Sequence, residues 1–194
     1  MRVHGDKIIK RRTGMEGLNH YKDARKELSE DFSNMCGYCG KNDVIMMEKF
    51  HIDHFVPKSL AEERKHDYYN LVWSCPKCNL SKSNKWPTKD KNIPNDGKLG
   101  FVDPATKEYD EHMKRDEKGY IRGITTLGED MCRSLHFDVR RTDLYWKIQS
   151  LYNLQAELEE LNRKNELEKD ELQFYIKSNV FLKSYIKEAF EKGE

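Results

Sequence analysis

Four cysteines in two Cys-x-x-Cys pairs, Cys36/Cys39 and Cys75/Cys78, constrain this chain more than anything else in it. Each such turn offers two sulfurs to one point with little strain, and zinc takes four soft ligands in a tetrahedron. Two turns complete that site without a histidine. A module of about 50 residues buries too little apolar surface to be stable alone, so a metal staple is physically expected. Gly37 and Gly40 let the first turn fold tightly. A thioredoxin-like redox role needs one pair, and reduced core cysteines would not explain both spacings. The fifth cysteine, Cys132, lies on an apolar helical stretch and reads as a small buried hydrophobe.

The surroundings suit this reading. The 194 residues allow one domain, or one small module with an appended subdomain. Hydrophobic content of 37% against 36% charged residues favours a small-core, helix-rich protein over a large sandwich or a doubly wound sheet. No apolar run approaches the roughly 20 residues that cross a bilayer. The first residues, MRVHGDKIIKRRTG, lack the apolar core of a signal peptide. The expected location is the cytosol, where reduced thiols favour metal over disulfides. Net charge is only +1, so a nucleic-acid partner would be held by a local patch. Lys7, Lys10, Arg11 and Arg12 crowd the N-terminus, and Lys58, Arg64, Lys65, Lys77, Lys82 and Lys85 fall within the cysteine-bearing stretch. A solvated surface explains any one of these lysines about as well.

Along the chain, residues 1–17 read as a flexible or loosely docked basic arm. Helical spacing over 18–32 predicts a helix packed on the zinc ribbon. Residues 44–47 suggest a short strand or turn edge. Residues 50–55 alternate as a strand, with Ile52 and His54 on one face and His51, Asp53 and Phe55 on the other. A polar loop follows over 59–69, then a second strand at 71–74. Pro76 suits the first turn of a helix over 77–84 that carries Asn79 and Lys82. The order makes a ββα unit in an α+β fold. A linker covers 86–100, and a hairpin is expected from 109–114 and 120–124. A helix follows at 129–137. Two long helices, 139–161 and 168–190, broken at 162–165, form an antiparallel pair. The expected organisation is an arm (1–17), a zinc-stapled module (18–100), a hairpin and helix extension (101–137) and a C-terminal helical pair (138–194). The apolar stripe of that pair reads first as internal packing. Phe174, Phe181 and Phe190 fall on more than one face, which leaves a docking surface for a partner subunit as the alternative.

Asp53 and His54 are the candidate chemistry. A histidine near neutral pKa can take a proton from water and make a nucleophile. The neighbouring carboxylate could hold a hard cation such as Mg²⁺, and Asn79 offers a carbonyl oxygen from the facing helix. Such a cation would act as a Lewis acid on a phosphate. The blander readings are a turn cap for Asp53 and a core histidine for His54. His51 reads as a strand-surface histidine, with a metal-adjacent role as the alternative.

The stretches IDHFVPKS, NLVWSC and CNLSKSN resemble the HNH endonuclease family, the ββα-metal nucleases, in its four-cysteine zinc subgroup. The resemblance implies hydrolysis of DNA phosphodiester bonds, with RNA left open. It implies structural zinc at Cys36, Cys39, Cys75 and Cys78, and a catalytic Mg²⁺ or Mn²⁺ at Asp53 and Asn79. His54 matches the general base. Asn70 matches the middle asparagine that holds loop and base in place. Lys82 matches a recurrent lysine expected to face a phosphate, and Lys58, Lys77 and Lys85 are further candidate phosphate contacts. The segment 101–137 also resembles small bacterial HNH proteins, among them nuclease subunits paired with an SMC/ABC-type ATPase in Septu-type phage defence. That narrower resemblance implies an ATPase partner through the C-terminal helices. A different class of function, a zinc ribbon or adaptor that grips nucleic acid without cutting, would use the lysines and the arm and have no need of Asp53 and His54.

Overall fold

Strand β1 (His51–His54) pairs antiparallel with β2 (Leu71–Ser74), with Asp53 opposite Val72 and His54 opposite Leu71. All four residues of β2 are buried, whereas β1 runs from exposed His51 to buried His54. The chain is described from a computed structural model covering residues 1–164 and 168–191. Helix α3 (Pro76–Lys82) follows β2 after one residue, with Pro76 in its first turn and the Cys75 thiol accepting from Cys78 N–H. The ββα order and the α+β class are as the sequence suggested.

Two compact units are present, Met1–Val139 and Arg140–Glu194. In the first, the expected helix over 18–32 is shorter. A 3-10 turn at Tyr21–Ala24 leads into α1 (Arg25–Asp31). His20 caps that turn by accepting from Lys22 N–H, so the helix starts late. Leu28 and Phe32 are fully buried. Phe32 packs so closely on the first cysteine turn that a Cβ at Gly37 would lie 2.7 Å from its ring and 2.9 Å from Val72. Gly37 thus serves close approach, while Gly40, at φ +68°, serves the turn itself.

Residues 44–47 are not a strand edge. Asn42 accepts from Ile45 N–H and starts helix α2 (Asp43–Met46), a short N-capped turn. The expected hairpin also begins later. Residues 109–112 form helix α4 (Tyr109–His112), and only β3 (Met113–Arg115) and β4 (Ile121–Gly123) pair. Asp116 closes their turn by accepting from Lys118 and Tyr120 N–H. Helix α5 (Thr126–Ser134) starts earlier than 129 because Thr125 caps it through Gly128 N–H. Cys132 on α5 is buried, as its apolar neighbours implied.

The N-terminal residues correct the picture of a loose arm. The Met1 amine donates to Arg115 O and the Arg115 amide donates to Met1 O. Val3 and Ile9 are buried in the common core. Arg11 makes a two-pronged pair with Asp103 at 2.8 and 3.0 Å and donates to Leu71 O, while Arg12 binds Asp31. Single apolar anchors and long-range backbone bonds hold this segment, and neither leaves a period in the sequence. Arm, module and extension belong to one compact unit.

The second unit holds α6 (Thr142–Arg163) and α7 (Lys169–Glu191). Arg141 pairs with Glu188, Gln155 bonds Ser178 and Tyr175 bonds Glu159. Partner numbers fall as α6 advances, so the two helices run antiparallel. Asn162 and Arg163 belong to α6, and Asn165 of the expected break lies outside the described residues. No helix among the described residues is long and apolar enough to cross a membrane.

Because the Arg11–Asp103 pair is mostly buried, Arg11→Ala should lower the unfolding free energy by about 2–3 kcal/mol. Urea denaturation followed by circular dichroism measures this. An unmoved midpoint would show that the segment is only tethered.

Candidate active site

Each cysteine pair sits on a turn that the local sequence shapes. Cys36 N–H donates to Lys41 O and Gly40 N–H to Cys36 O, closing the first turn. Cys75 lies between β2 and α3, capping the helix, and Cys78 lies on the first turn of α3. The four sulfurs lie within 4.8 Å of one another, all buried, with Cys39 and Cys75 Sγ 3.8 Å apart. A tetrahedron with zinc–sulfur bonds of about 2.3 Å has edges of about 3.8 Å, so the thiols fit that metal. Burial pushes the Cys36 and Cys78 thiols well above their ordinary range. Holding them as thiolates therefore takes a cation in their midst. The groups next outside the thiols fit too. Arg115 Nη2 donates to Cys39 O at 2.6 Å, and His4 Nε2 donates to Cys36 O at 3.2 Å.

The knuckle also reaches the candidate chemistry. Tyr38, between Cys36 and Cys39, is fully buried, and its hydroxyl donates to Asp53 Oδ2 at 2.7 Å. The Tyr109 hydroxyl holds Tyr38 from behind, donating to its carbonyl at 2.6 Å. Lys82 Nζ lies 3.3 Å from the same Asp53 oxygen and donates to His54 O at 2.8 Å. No hydrogen bond or ion pair among the described residues engages Asp53 Oδ1. Alternation alone puts Asp53 and His54 on opposite faces, but β1 ends at His54, and both residues line one cleft of about 280 Å³. Lys58, Asn79, Ser83 and Asn84 share that lining. Asn79 Nδ2 lies 3.2 Å from His51 Nδ1, which engages the amide nitrogen and leaves the amide oxygen for a cation. His51 is exposed and touches the site through Asn79.

His54 Nε2 is 2.9 Å from Lys65 O. A carbonyl only accepts, so Nε2 carries the proton and Nδ1 is the basic nitrogen. Burial lowers the His54 pKa, and Lys58 and Lys82 act the same way, against the Lys65 carbonyl and Asp53. The ring is thus neutral near pH 7 and able to take a proton. The edge of Tyr21 packs on it at 5.0 Å between ring centres, and Tyr21 N–H in turn donates to His66 Nδ1. Asn70 is fully buried. Its Oδ1 accepts from Val56 N–H at 2.9 Å, and its Nδ2 donates to Val56 O and Arg64 O.

The lysines divide. Lys82 is buried between Asp53 and the His54 carbonyl, with no exposed surface, so it cannot face a phosphate as expected. Burial lowers its pKa while Asp53 raises it. Lys58 is exposed on the cleft rim. Lys85 is exposed but donates to Ser134 O, and Lys77 is half-buried outside the cleft lining. Sequence reading missed Tyr38, Tyr21 and the Lys65 carbonyl. Only Tyr38 left a trace, its place inside a Cys-x-x-Cys turn.

A family model described as HNH endonuclease matches residues 36–85. The match takes in both cysteine pairs, Asp53, His54, Asn70 and Asn79, and stops at Lys85. The family so described comprises endonucleases. No curated protein matches the chain. Neither comparison supports the narrower resemblance to Septu-type subunits or an ATPase partner.

The purified protein should carry one zinc per chain by plasma emission spectrometry. Chelation should expose four fast-reacting thiols to a thiol reagent at neutral pH. Loss of the metal frees the two turns from burial, whereas Cys132 on α5 keeps its burial and should lag, its thiol pushed up to about 11. Five equally slow thiols with no metal would contradict the four-sulfur site. Lys82→Met should destabilise the fold by about 3 kcal/mol in urea, since it strands a buried carboxylate. A surface lysine reaching for phosphate would leave the melt unchanged.

Proposed function

We propose that this protein is a metal-dependent endonuclease that hydrolyses DNA phosphodiester bonds, with His54 as general base. The observation that carries the reading is the 2.9 Å contact between His54 Nε2 and Lys65 O, which sets the tautomer. Lys65 O holds the Nε2 proton, so Nδ1 is unprotonated in the same cleft as Asp53 and Asn79.

A water placed beside Nδ1 gives its proton to that nitrogen as its oxygen attacks phosphorus. The bond from phosphorus to the leaving oxygen breaks, and that oxygen departs with the electron pair. Mg²⁺ or Mn²⁺ held by Asp53 and Asn79 would polarise the phosphate and stabilise the leaving oxygen. Tyr38 and Lys82 fix Asp53 through Oδ2, which leaves Oδ1 for the cation. Lys58 at the rim offers positive charge to the incoming strand. Asn70 keeps the loop bearing Lys65 O in register with the imidazole.

A zinc ribbon that only binds would have no use for an oriented, desolvated imidazole beside a carboxylate. The buried position of Lys82 also removes one of the phosphate contacts on which that reading relied.

His54→Ala should lower the rate of plasmid nicking with Mg²⁺ or Mn²⁺ by on the order of 10²–10⁴, the usual contribution of a general base, with zinc content unchanged. Equal rates for the variant and the wild type would remove His54 from the mechanism.

A further inference from the structure

A second cavity, of about 470 Å³, lies between the N-terminal segment and the loop after Val102. Arg2, Lys7 and Lys10 line it from one side and Lys107 from the other. Ile9 and Pro104 contribute apolar wall. One carboxylate, Asp110, is present. Burial raises its pKa, and Arg2 lies close enough to oppose that.

Three features mark this cavity as built for an anion. First, its walls are fixed before any ligand arrives. The N-terminal segment is pinned at Met1 on Arg115 and at Arg11 on Asp103, and Asp103 in turn accepts from Ala105 N–H within the opposite wall. Second, among the described residues three of its four cations, Lys7, Lys10 and Lys107, have no carboxylate partner, while Arg2 donates to Gly5 O and lies near Asp110. Third, the charge is local: the whole chain has a net charge of only +1, yet four cations surround this one space against one acid. A phosphate in the cavity would meet cations from both walls. The apolar wall accommodates the sugar or base that a nucleotide phosphate carries.

We infer that this cavity holds a backbone phosphate of the nucleic-acid substrate, away from the scissile bond, with Lys7, Lys10 and Lys107 as its contacts. The inference rests on the nuclease reading for the identity of the strand. It gives a near-neutral protein the local grip that its net charge does not supply, and it gives the pinned N-terminal segment a use. Lys107→Glu acts from the wall opposite Lys7 and Lys10, so it tests the cavity rather than the N-terminal segment alone.

The test is fluorescence anisotropy with a short fluorescein-labelled DNA duplex, in a His54→Ala background so that the probe survives. Lys7→Ala/Lys10→Ala/Lys107→Ala should weaken binding at least about tenfold near 0.1 M salt, and should lower the slope of log K against log salt by about 1, for the one phosphate no longer neutralised. Lys107→Glu alone should weaken binding in the same direction. Replacing all three by arginine should restore both affinity and slope. Unchanged affinity in the alanine triple, with zinc content and melting temperature as in the parent, overturns the inference. So does tight binding of ATP, lost in the triple, while duplex affinity stays constant, since the cavity would then serve a free nucleotide. Hydrolysis of bis(p-nitrophenyl) phosphate by the proteins with and without His54 is measured in parallel. Equal hydrolysis would sink the nuclease reading whatever the anisotropy shows, so the two failures are told apart.

Discussion

Four buried sulfurs meeting at one point organise everything that could do chemistry here. A two-stranded sheet with four residues per strand is marginal by itself in water. A short helix of seven residues fares no better alone. A metal such as zinc held by the two cysteine turns would join the start of α3 to a turn distant in sequence, with the sheet between them. The consequences reach the cleft through single residues. Tyr38 lies inside the first turn and bonds Asp53, and Asn79 directly follows Cys78. Asn79 and Tyr38, the residue that holds Asp53, are therefore each one residue from a cysteine of the cluster. Four thiolates around Zn²⁺ carry two net negative charges, and buried Arg115 beside the Cys39 carbonyl offsets part of that charge.

Asp53 shows how burial and charge are balanced. At 3.3 Å, an ion pair with Lys82 is worth about 5 kcal/mol of Coulomb energy at an effective dielectric of about 20. Removing both groups from water costs several kcal/mol per ion, so the pair adds little net stability. What it supplies is position. The lysine binds the His54 carbonyl and the Asp53 carboxylate at once, tying two consecutive residues at the end of β1 to the end of α3. Removing the lysine alone would leave the cost of a buried carboxylate without its partner. A group that looks like a phosphate ligand in the sequence is thus the clamp that fixes the strand end.

The same contrast explains what was legible from sequence. Cysteine spacing was readable because ligand chemistry is local: two sulfurs three residues apart can turn to one point wherever the turn sits. Residues 71–74 were readable because a short apolar run ahead of a cysteine has few alternatives. Lys82 was misread because nothing in its neighbours tells a buried ammonium from an exposed one. That depends on Asp53, far off in the chain. Residues 44–47 became a helical turn because Asn42 capped them, a weak local signal beside an apolar run. Residues 109–112 became helix although their composition suited a strand, and Tyr109 is held there by the carbonyl of Tyr38. The pinned N-terminal segment has two isolated apolar anchors, Val3 and Ile9, and two points show no period. His54, Asp53 and Asn79 were visible as residue types. Their shared cleft follows from where β1 stops.

Asn70 shows why residue type matters at a site that touches no substrate. The loop after β1 must present Lys65 O to His54 Nε2, and the backbone at Val56 must be held for it to do so. Val56 offers both an N–H and a C=O to Asn70, and a primary amide has one acceptor end and one donor end to match them. Aspartate would place a second acceptor against the Val56 carbonyl, and leucine would leave two buried backbone groups unpaired. Glutamine has the right groups on a longer stem, in a site where Asn70 has no exposed surface. Asparagine fits the geometry at this depth. Asn70 O also accepts from Phe55 N–H, so one residue closes the sheet end and sets the loop that decides which imidazole nitrogen is basic.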